Sequence, residues 1–178
     1  MGIYLRPTTL ADLDFVLATE QAEQDSGYIG QWTHHEHMMA LQSADIAHLI
    51  ITRTADDQSV GYAILQGLTS PHGTIDLKRI VVAAKGNGYG RRALQLIKHR
   101  VFETYGADRL WLDVKSYNPR AQQLYQSEGF VVEGILRDCV QLDQRHRLFR
   151  EQGQPRASLV IMSILRPEYD AFVAQSNG

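Results

Sequence analysis

The segment covering residues 75–105 constrains the fold more than any other part of the chain. It begins with a β-branched apolar run at 75–82, passes through the turn Lys85-Gly-Asn-Gly-Tyr-Gly90, and ends in a long stretch with apolar residues at helical spacing. Glycine tolerates positive φ and leaves room for a ligand near the backbone, so several N–H groups at a helix start can face one anion. The segment therefore predicts a strand, an anion-binding loop and a helix.

The loop does not match two common phosphate-binding motifs. A Walker loop needs Lys-Ser/Thr after its glycines, and a dinucleotide fingerprint needs a third glycine where this chain has Arg91. Arg91 and Arg92 lie in the first helical turn, where a cation opposes the helix dipole, so a bound anion would explain their presence. A tight glycine turn without a ligand remains the alternative for this loop taken alone.

Length and composition limit the class of protein. A chain of 178 residues with 44% hydrophobic content can bury one core, which predicts a single domain over residues 1–178. The chain opens directly on a strand pattern and contains no apolar run of membrane-spanning length, so we expect a soluble cytoplasmic protein without a membrane partner. Cys139 is the only cysteine, which excludes an intramolecular disulfide and a cysteine-based metal cluster.

Charge is distributed unevenly along the chain. Residues 1–57 carry nine acids and two bases, whereas residues 58–178 carry eleven acids and sixteen bases, for a net charge of −2. An anionic co-substrate held by the second part and a cationic acceptor attracted to the first would explain this asymmetry, although chance and solvated helix faces explain it equally well. The negative total disfavours a nucleic-acid partner.

Apolar runs separated by turn residues predict a set of strands, at 3–6, 48–52, 60–65, 75–82, 109–114, 131–136 and 158–165. Thr8 or Thr9 can cap a helix that runs to about Glu20. The strand at 109–114 should lie parallel to 75–82 after a right-handed crossover. Residues 143–157 carry four arginines and little apolar patterning, so we expect an exposed loop there.

A group of histidines invites a metal-binding interpretation. His34, His35, Glu36 and His37 lie within four residues of one another at the start of a predicted helix. Consecutive helical residues point in different directions, only His34 and His37 share a face, and no His-Glu-x-x-His pattern is present. We therefore favour structural or surface roles for these residues and predict no metal site.

A second motif occupies the stretch Asn118-Pro-Arg-Ala-Gln-Gln-Leu-Tyr-Gln-Ser-Glu-Gly-Phe130. Asn at the N-cap, Pro at the first helical position and Gly129 just past the end predict a helix of about nine residues. Leu124 and Tyr125 share its apolar face, where a tyrosine alone is accounted for by packing.

Together, the two motifs resemble those of the GNAT superfamily of acyl-CoA-dependent N-acetyltransferases. The first is similar to the pyrophosphate loop Arg/Gln-x-x-Gly-x-Gly/Ala, with Lys85 where Arg or Gln is usual, and the second fills every fixed position of Asn-x-x-Ala-x-x-Leu-Tyr-x-x-x-Gly-Phe. The resemblance covers residues 3–165 and looks closest to the branch that includes acetyltransferases of ribosomal-protein N-termini. It implies an α/β fold with one mostly antiparallel sheet of six or seven strands, a single parallel pair (75–82 with 109–114), and flanking helices.

The resemblance also implies where acetyl-CoA, the co-substrate of this family, is bound. The implied residues lie on the central strand, in the glycine loop and in the second motif: Ile80, Val81, Val82, Lys85, Gly86, Asn87, Gly88, Tyr89, Gly90, Arg91, Asn118, Arg120 and Tyr125. Tyr125 would be the general acid that protonates the departing thiolate. Asp76 stands about where some relatives carry a glutamate base, and an exposed strand acid without a role is an equal alternative. Weaker candidates for the base are Glu23, Glu36, His34, His35 and His37.

The implied activity is transfer of an acetyl group from acetyl-CoA to a primary amine by direct attack on the thioester. The acceptor would be a small-molecule amine, an amino acid or a protein N-terminus, and the sequence does not choose among them. The alternative is a non-catalytic acyl-CoA-binding or regulatory module with the same fold. A homodimer is left open.

Overall fold

The computed structural model describes residues 2–176; Met1, Asn177 and Gly178, at the ends of the predicted domain, lie outside the described residues. Within them the strands are β1 (Ile3–Pro7), β2 (Ile46–Arg53), β3 (Ser59–Gln66), β4 (Thr74–Val82), β5 (Arg109–Lys115), β6 (Val131–Gln141) and β7 (Arg156–Leu165). These strands form one sheet in the order β1-β2-β3-β4-β5-β7-β6. Every neighbouring pair is antiparallel except β4 with β5, which confirms the predicted mixed sheet and its parallel pair.

Helices cover both faces of this sheet. The α-helices of the described chain are α1 (Leu13–Ala22), α2 (His34–Leu41), α3 (Tyr89–His99), α4 (Pro119–Ser127), α5 (Arg147–Gln152) and α6 (Arg166–Ser176). The larger core lies between the sheet and α3, where Leu94 and Ile97 are fully buried. A smaller core lies on the opposite face, where Val16 of α1 packs with Ile50 and Tyr62. Within residues 2–176, no helix combines the length and apolarity needed to cross a bilayer.

The parallel pair is short, and this determines the shape of the sheet. Only residues 74–76 of β4 pair with residues 109–111 of β5. The remaining parts of the two strands, 77–82 and 112–115, diverge, and we call the space between them the β4–β5 opening. On its other edge β4 stays paired with β3 as far as Val82. The sheet is therefore continuous where residues 74–76 pair with residues 109–111, and it is open at its centre beyond them.

A bulge in β4 changes which side chains face α1. Leu65 is opposite Leu77 and Ile64 is opposite Arg79, so Lys78 is the extra residue on β4. Because of this extra residue, Arg79 and Val81 point to the α1 face, while Leu77 packs in the core under α3. The alternation along β4 is thus interrupted just before the opening.

Two details of the prediction for the C-terminal part were wrong. Residues 143–157 are mostly exposed, as predicted, but they are not a loop throughout: α5 lies there, and Leu142, Leu148 and Ala157 form a small buried cluster. His146 caps α5 by accepting a hydrogen bond from the Leu148 N–H at 3.2 Å, and so few apolar residues gave no periodic signal. β6 continues to Gln141 instead of ending at 136.

The first and long central helices also differ from the prediction. Thr9 caps a 3₁₀ turn (Leu10–Asp12) that precedes α1, and Leu10 is 63% exposed. The helix after the glycine loop ends at His99 and continues as a π-helical turn (Arg100–Thr104). α6 lies in a part of the chain for which no element was predicted.

Candidate active site

The glycine loop leads directly into α3 and leaves open space beside its backbone. Gly86 and Gly88 have φ of 86° and 73°, and a Cβ built on either residue would meet no other atom within 4 Å. Gly90 lies inside α3 and does not have a positive φ. Gly88 is the N-cap, and its carbonyl accepts from the Arg92 N–H at 3.2 Å. The N–H groups of residues 89–91 therefore precede the first intrahelical bond and can face an anion.

The side chains of the loop are mostly engaged elsewhere. The Tyr89 ring is buried in the core, and Asn87 donates to the Ala84 and Lys85 carbonyls at 3.4 and 3.3 Å, which stiffens the loop. The Lys85 ammonium pairs with the carboxylate of Glu23. An anion here would consequently be bound chiefly by backbone N–H groups.

Arg91 has a partner that the sequence did not reveal. Its guanidinium contacts the Glu128 carboxylate at 2.6 Å, and the Lys98 ammonium contacts the same carboxylate at 3.0 Å. Glu128 is almost fully buried just after α4. This carboxylate already offsets the positive charge of Arg91 in the first turn of α3. The position of Arg91 is therefore explained without a bound anion.

Helix α4 lies beside the start of α3. A Cβ on Gly90 would lie 4.0 Å from the Leu124 side chain. The two sequence motifs are therefore neighbours in the fold. Asn118 caps α4 by accepting from the Ala121 N–H at 3.2 Å through Oδ1, so its Nδ2 group is the part able to contact a ligand. Arg120 is exposed on the first turn.

The unpaired edge of β4 offers backbone donors to the β4–β5 opening. The Ala83 N–H donates to Val60 of β3 at 2.8 Å. Because N–H groups alternate sides along a strand, those of Ile80 and Val82 face the opening, whereas that of Val81 faces β3. Two of the three predicted strand positions thus present donors to this space.

Tyr125 is buried in the larger core with Phe130, whose ring centroid lies 5.7 Å away. Burial, with a smaller contribution from Asp113, raises the pKa of the Tyr125 hydroxyl to about 12. The phenol therefore stays protonated at neutral pH and can donate a proton or a hydrogen bond.

Asp76 lies at the closed end of the parallel pair, opposite Trp111. Among the described residues its Oδ1 has no hydrogen-bond partner. Burial raises the pKa of this carboxyl to about 6, Lys78 opposes the shift and Asp113 adds to it. Asp76 also lines an open groove of about 520 Å³ with Trp111 and His72. The carboxylate is half-buried, unlike an ordinary exposed strand acid.

Asp113 is a candidate that sequence reasoning missed. It lies on β5 beyond the last residue paired with β4, on the same face as Trp111. Its charge raises the pKa of both Tyr125 and Asp76, so the three groups share one electrostatic environment. The available signal was an acid between the apolar residues Leu112 and Val114 of this strand.

A buried acid, Glu20, organises the sheet face under α1. Its carboxylate accepts from the Tyr62 hydroxyl at 2.6 Å and from the Trp32 N–H at 2.9 Å, and it pairs with the Arg79 guanidinium. Burial opposes ionisation of Glu20, but these partners and His37 outweigh it and lower its pKa to about 2. Arg79 also lies 4.8 Å from the centre of the Trp32 ring. Glu20, just before the α1–α2 connection (residues 23–33), and Trp32, near its end, are thereby fixed to β3 and β4.

The histidines are divided between this network and the surface. His37 is fully buried, with Nε2 3.1 Å from the Glu20 carboxylate and Nδ1 3.0 Å from His48. His34 and His35 are exposed, and Glu36 closes a capping box with Thr33 at the start of α2. The described residues contain no group of three or more His, Cys, Asp or Glu able to hold a metal ion.

Comparison with known proteins identifies the family. The chain matches the Acetyltransferase (GNAT) family over residues 15–130, more than half of its length, and it belongs to that family. The co-substrate of this class is acetyl-CoA. An uncharacterized N-acetyltransferase from Mycobacterium bovis is 32% identical over 93 residues, which are 51% of this chain and 57% of the relative. The match with the counterpart from Mycobacterium tuberculosis has the same extent, so the aligned part spans little more than half of these relatives.

Solved structures with the same fold cover almost the whole chain. The spermidine N-acetyltransferase from Vibrio cholerae, in complex with CoA and spermine, has a TM-score of 0.80 at 19% identity, covering 94% of this chain and 97% of that one. A dodecameric structure of that enzyme in an intermediate state has a TM-score of 0.76 at 19% identity, covering 94% and 95%. At this identity the likeness is one of fold.

Proposed function

We propose that this protein is an acetyl-CoA-dependent N-acetyltransferase that moves an acetyl group to a primary amine. The observation that carries the proposal is the β4–β5 opening, towards which β4 presents unpaired N–H groups, with the second motif on α4 beside the start of α3. The start of α3 adds an anion-binding site at one end. A long, thin ligand with a diphosphate group and several amides fits these features.

The residues support a division of roles in binding. The N–H groups at 89–91 and the open space at Gly86 and Gly88 would hold the diphosphate. The N–H groups of Ile80 and Val82 would bond the pantetheine amides and polarise the thioester carbonyl. Asn118 Nδ2 would donate a hydrogen bond to the pantetheine part of acetyl-CoA.

Two side chains would move the protons. As the amine attacks, its nitrogen forms an amide bond with the carbonyl carbon, the carbon–sulfur bond breaks, and the nitrogen loses a proton. Tyr125, protonated at neutral pH, would donate a proton to the leaving sulfur. Asp76, with its pKa near 6, would accept the proton of the amine directly or through water.

A small cationic amine is the acceptor that the charge distribution favours. Acids exceed bases only in residues 1–57, and the structurally similar enzyme from Vibrio cholerae is a spermidine N-acetyltransferase. Amino acids and protein N-termini are the competing acceptor classes, and they belong in the same test.

The test is release of free CoA from acetyl-CoA in the presence of a panel of amines. The panel contains spermidine, 1,4-diaminobutane, amino-acid amides and short peptides with free N-termini. We expect turnover with at least one cationic amine. Saturable acetyl-CoA binding without CoA release would instead identify a binding or regulatory module, and no binding at millimolar acetyl-CoA would refute the proposal.

A further inference from the structure

An ion pair links the glycine loop to the α1–α2 connection. The Lys85 ammonium pairs with the Glu23 carboxylate, and the Ser26 hydroxyl donates to that carboxylate at 3.2 Å. The Glu23 side chain is 12% exposed, whereas that of Lys85 is 62% exposed. The carboxylate is therefore the confined partner, and the ammonium is the one that can turn towards another anion.

The α1–α2 connection borders the β4–β5 opening. Just before it, Glu20 binds Arg79 of β4. In its middle, the Gly27 carbonyl accepts from the Tyr117 hydroxyl at 2.6 Å, and Tyr117 directly precedes the cap of α4. The Tyr28 and Tyr117 rings lie 5.7 Å apart. Glu23 thus lies on a segment that is tied to β4 on one side of the β4–β5 opening and to Tyr117, next to α4, on the other.

Lys85 faces two competing partners once a diphosphate is bound at the start of α3. The diphosphate carries more negative charge than one carboxylate, and a lysine ammonium is a flexible point charge that reorients easily. If Lys85 turns to the phosphate, Glu23 is left largely buried without a counter-ion. Such a carboxylate is unfavourable until another cation takes the vacated place.

We propose that the Glu23 carboxylate binds the acceptor, and that Lys85 blocks it by pairing with it until acetyl-CoA binds. The inference rests on the proposed function and adds the class of acceptor: an amine with a second ammonium group, because the attacking nitrogen itself must be neutral. Since coupling between binding sites is reciprocal, the co-substrate raises acceptor affinity by the same factor as the acceptor raises co-substrate affinity.

The first test measures CoA affinity by calorimetry at low salt and needs no acceptor. Glu23→Gln should tighten CoA binding about fivefold, the lower end of typical couplings, because Lys85 no longer has to leave a partner. In a Lys85→Gln background the same change should have no effect. Asp25→Asn, which removes a neighbouring charge outside the pair, is the matched control. A Glu23→Gln protein with unchanged or weaker CoA affinity would overturn the inference.

The second test measures acceptor affinity with and without CoA, which lacks the acetyl group and prevents turnover. Saturating CoA should raise the affinity for 1,4-diaminobutane about fivefold or more in the wild type. In Lys85→Gln the diamine should bind equally well with and without CoA, and butylamine should show no such coupling in either protein. Equal diamine affinity with and without CoA in the wild type would refute the coupling. Failure of CoA itself to bind would refute the proposed function instead.

Discussion

At the scale of single residues, Tyr125 is the side chain in which binding and chemistry can be separated. Tyr125→Phe removes one oxygen and keeps the ring that packs near Phe130. If the hydroxyl protonates the leaving sulfur, kcat should fall roughly 10²-fold, at the lower end for general acid catalysis, while acetyl-CoA affinity stays unchanged. Turnover at saturating amine and calorimetric binding measure the two effects. An unchanged kcat would assign Tyr125 to packing alone.

Asp76 should cause the acidic limb of the pH profile of kcat/KM for the amine. Its pKa of about 6 means that kcat/KM for the amine falls as pH drops below about 6, because the protonated carboxyl cannot accept a proton. Asp76→Asn should lower kcat/KM at pH 8 about 10²-fold and abolish this limb. Asp113→Asn should keep the limb but move it to lower pH, because Asp113 raises the pKa of Asp76. Survival of the limb in Asp76→Asn would exclude Asp76 as its source.

His48 should make stability depend on pH. It is buried between His37 and Thr8, and burial lowers its pKa to about 4. The unfolded chain therefore binds more protons between pH 6.5 and 4, so the free energy of unfolding decreases as pH falls through that range, by up to about 3 kcal/mol. His48→Gln should remove this part of the slope, measured by urea unfolding at several pH values.

The exposed His72 is the control for this measurement. His72→Gln should retain the wild-type slope. Asp76 contributes a slope of opposite sign between pH 3.8 and about 6, since its pKa is raised in the folded state. That contribution is shared by all three proteins and cancels in their differences. A wild-type slope in His48→Gln would show that His48 remains neutral in the unfolded chain or titrates normally when folded.

At the scale of elements, the glycine loop is the part whose backbone the proposed ligand must approach. Gly88→Val places a branched side chain in space that no other residue fills and forces it to a φ of 73°. We expect acetyl-CoA affinity to fall about tenfold or more, because the side chain stands where phosphate would lie. Gly106→Val is a matched control, with a φ of 64° and equally open surroundings away from the loop.

Both glycine variants should lose stability through backbone strain, about 1–3 kcal/mol each. Only Gly88→Val should lose the rise in melting temperature that acetyl-CoA gives to the wild type by mass action. Equal acetyl-CoA shifts in the two variants would place the phosphate elsewhere.

At the scale of the whole molecule, β6 forms one edge of the sheet and exposes apolar side chains on both faces. Val131, Val132, Ile135 and Leu136 are between 42% and 59% exposed. An edge strand with unpaired backbone groups and no lysine or proline over 131–136 is suited to pair with a second copy. We expect a homodimer in solution, formed through this edge.

Light scattering at micromolar concentration measures this association. Ile135→Lys should shift the protein to monomers, because a charge on the edge is costly to bury. Leu10→Lys, at an equally exposed apolar position far from β6, should leave the mass unchanged. A monomeric wild type would contradict the prediction.

The sequence by itself determined the elements whose signals are local. The three-glycine turn and the Asn118-Pro start with its Gly129 end specify backbone conformations that few other residues adopt, so the loop and α4 could be located without any partner. The strand set and the parallel pair followed from apolar runs and the handedness of crossovers.

Only the tertiary structure decided which of these residues meet. The bulge at Lys78 turns Arg79 towards Glu20, 59 residues earlier in the chain. The pattern of apolar and polar residues along β4 does not predict this bulge. The divergence of β4 from β5, the Arg91–Glu128 contact and the Lys85–Glu23 pair likewise depend on how distant segments register across the sheet. Periodicity and turn chemistry are properties of a few neighbouring residues, whereas the pairing of charges is set by the whole core that positions them.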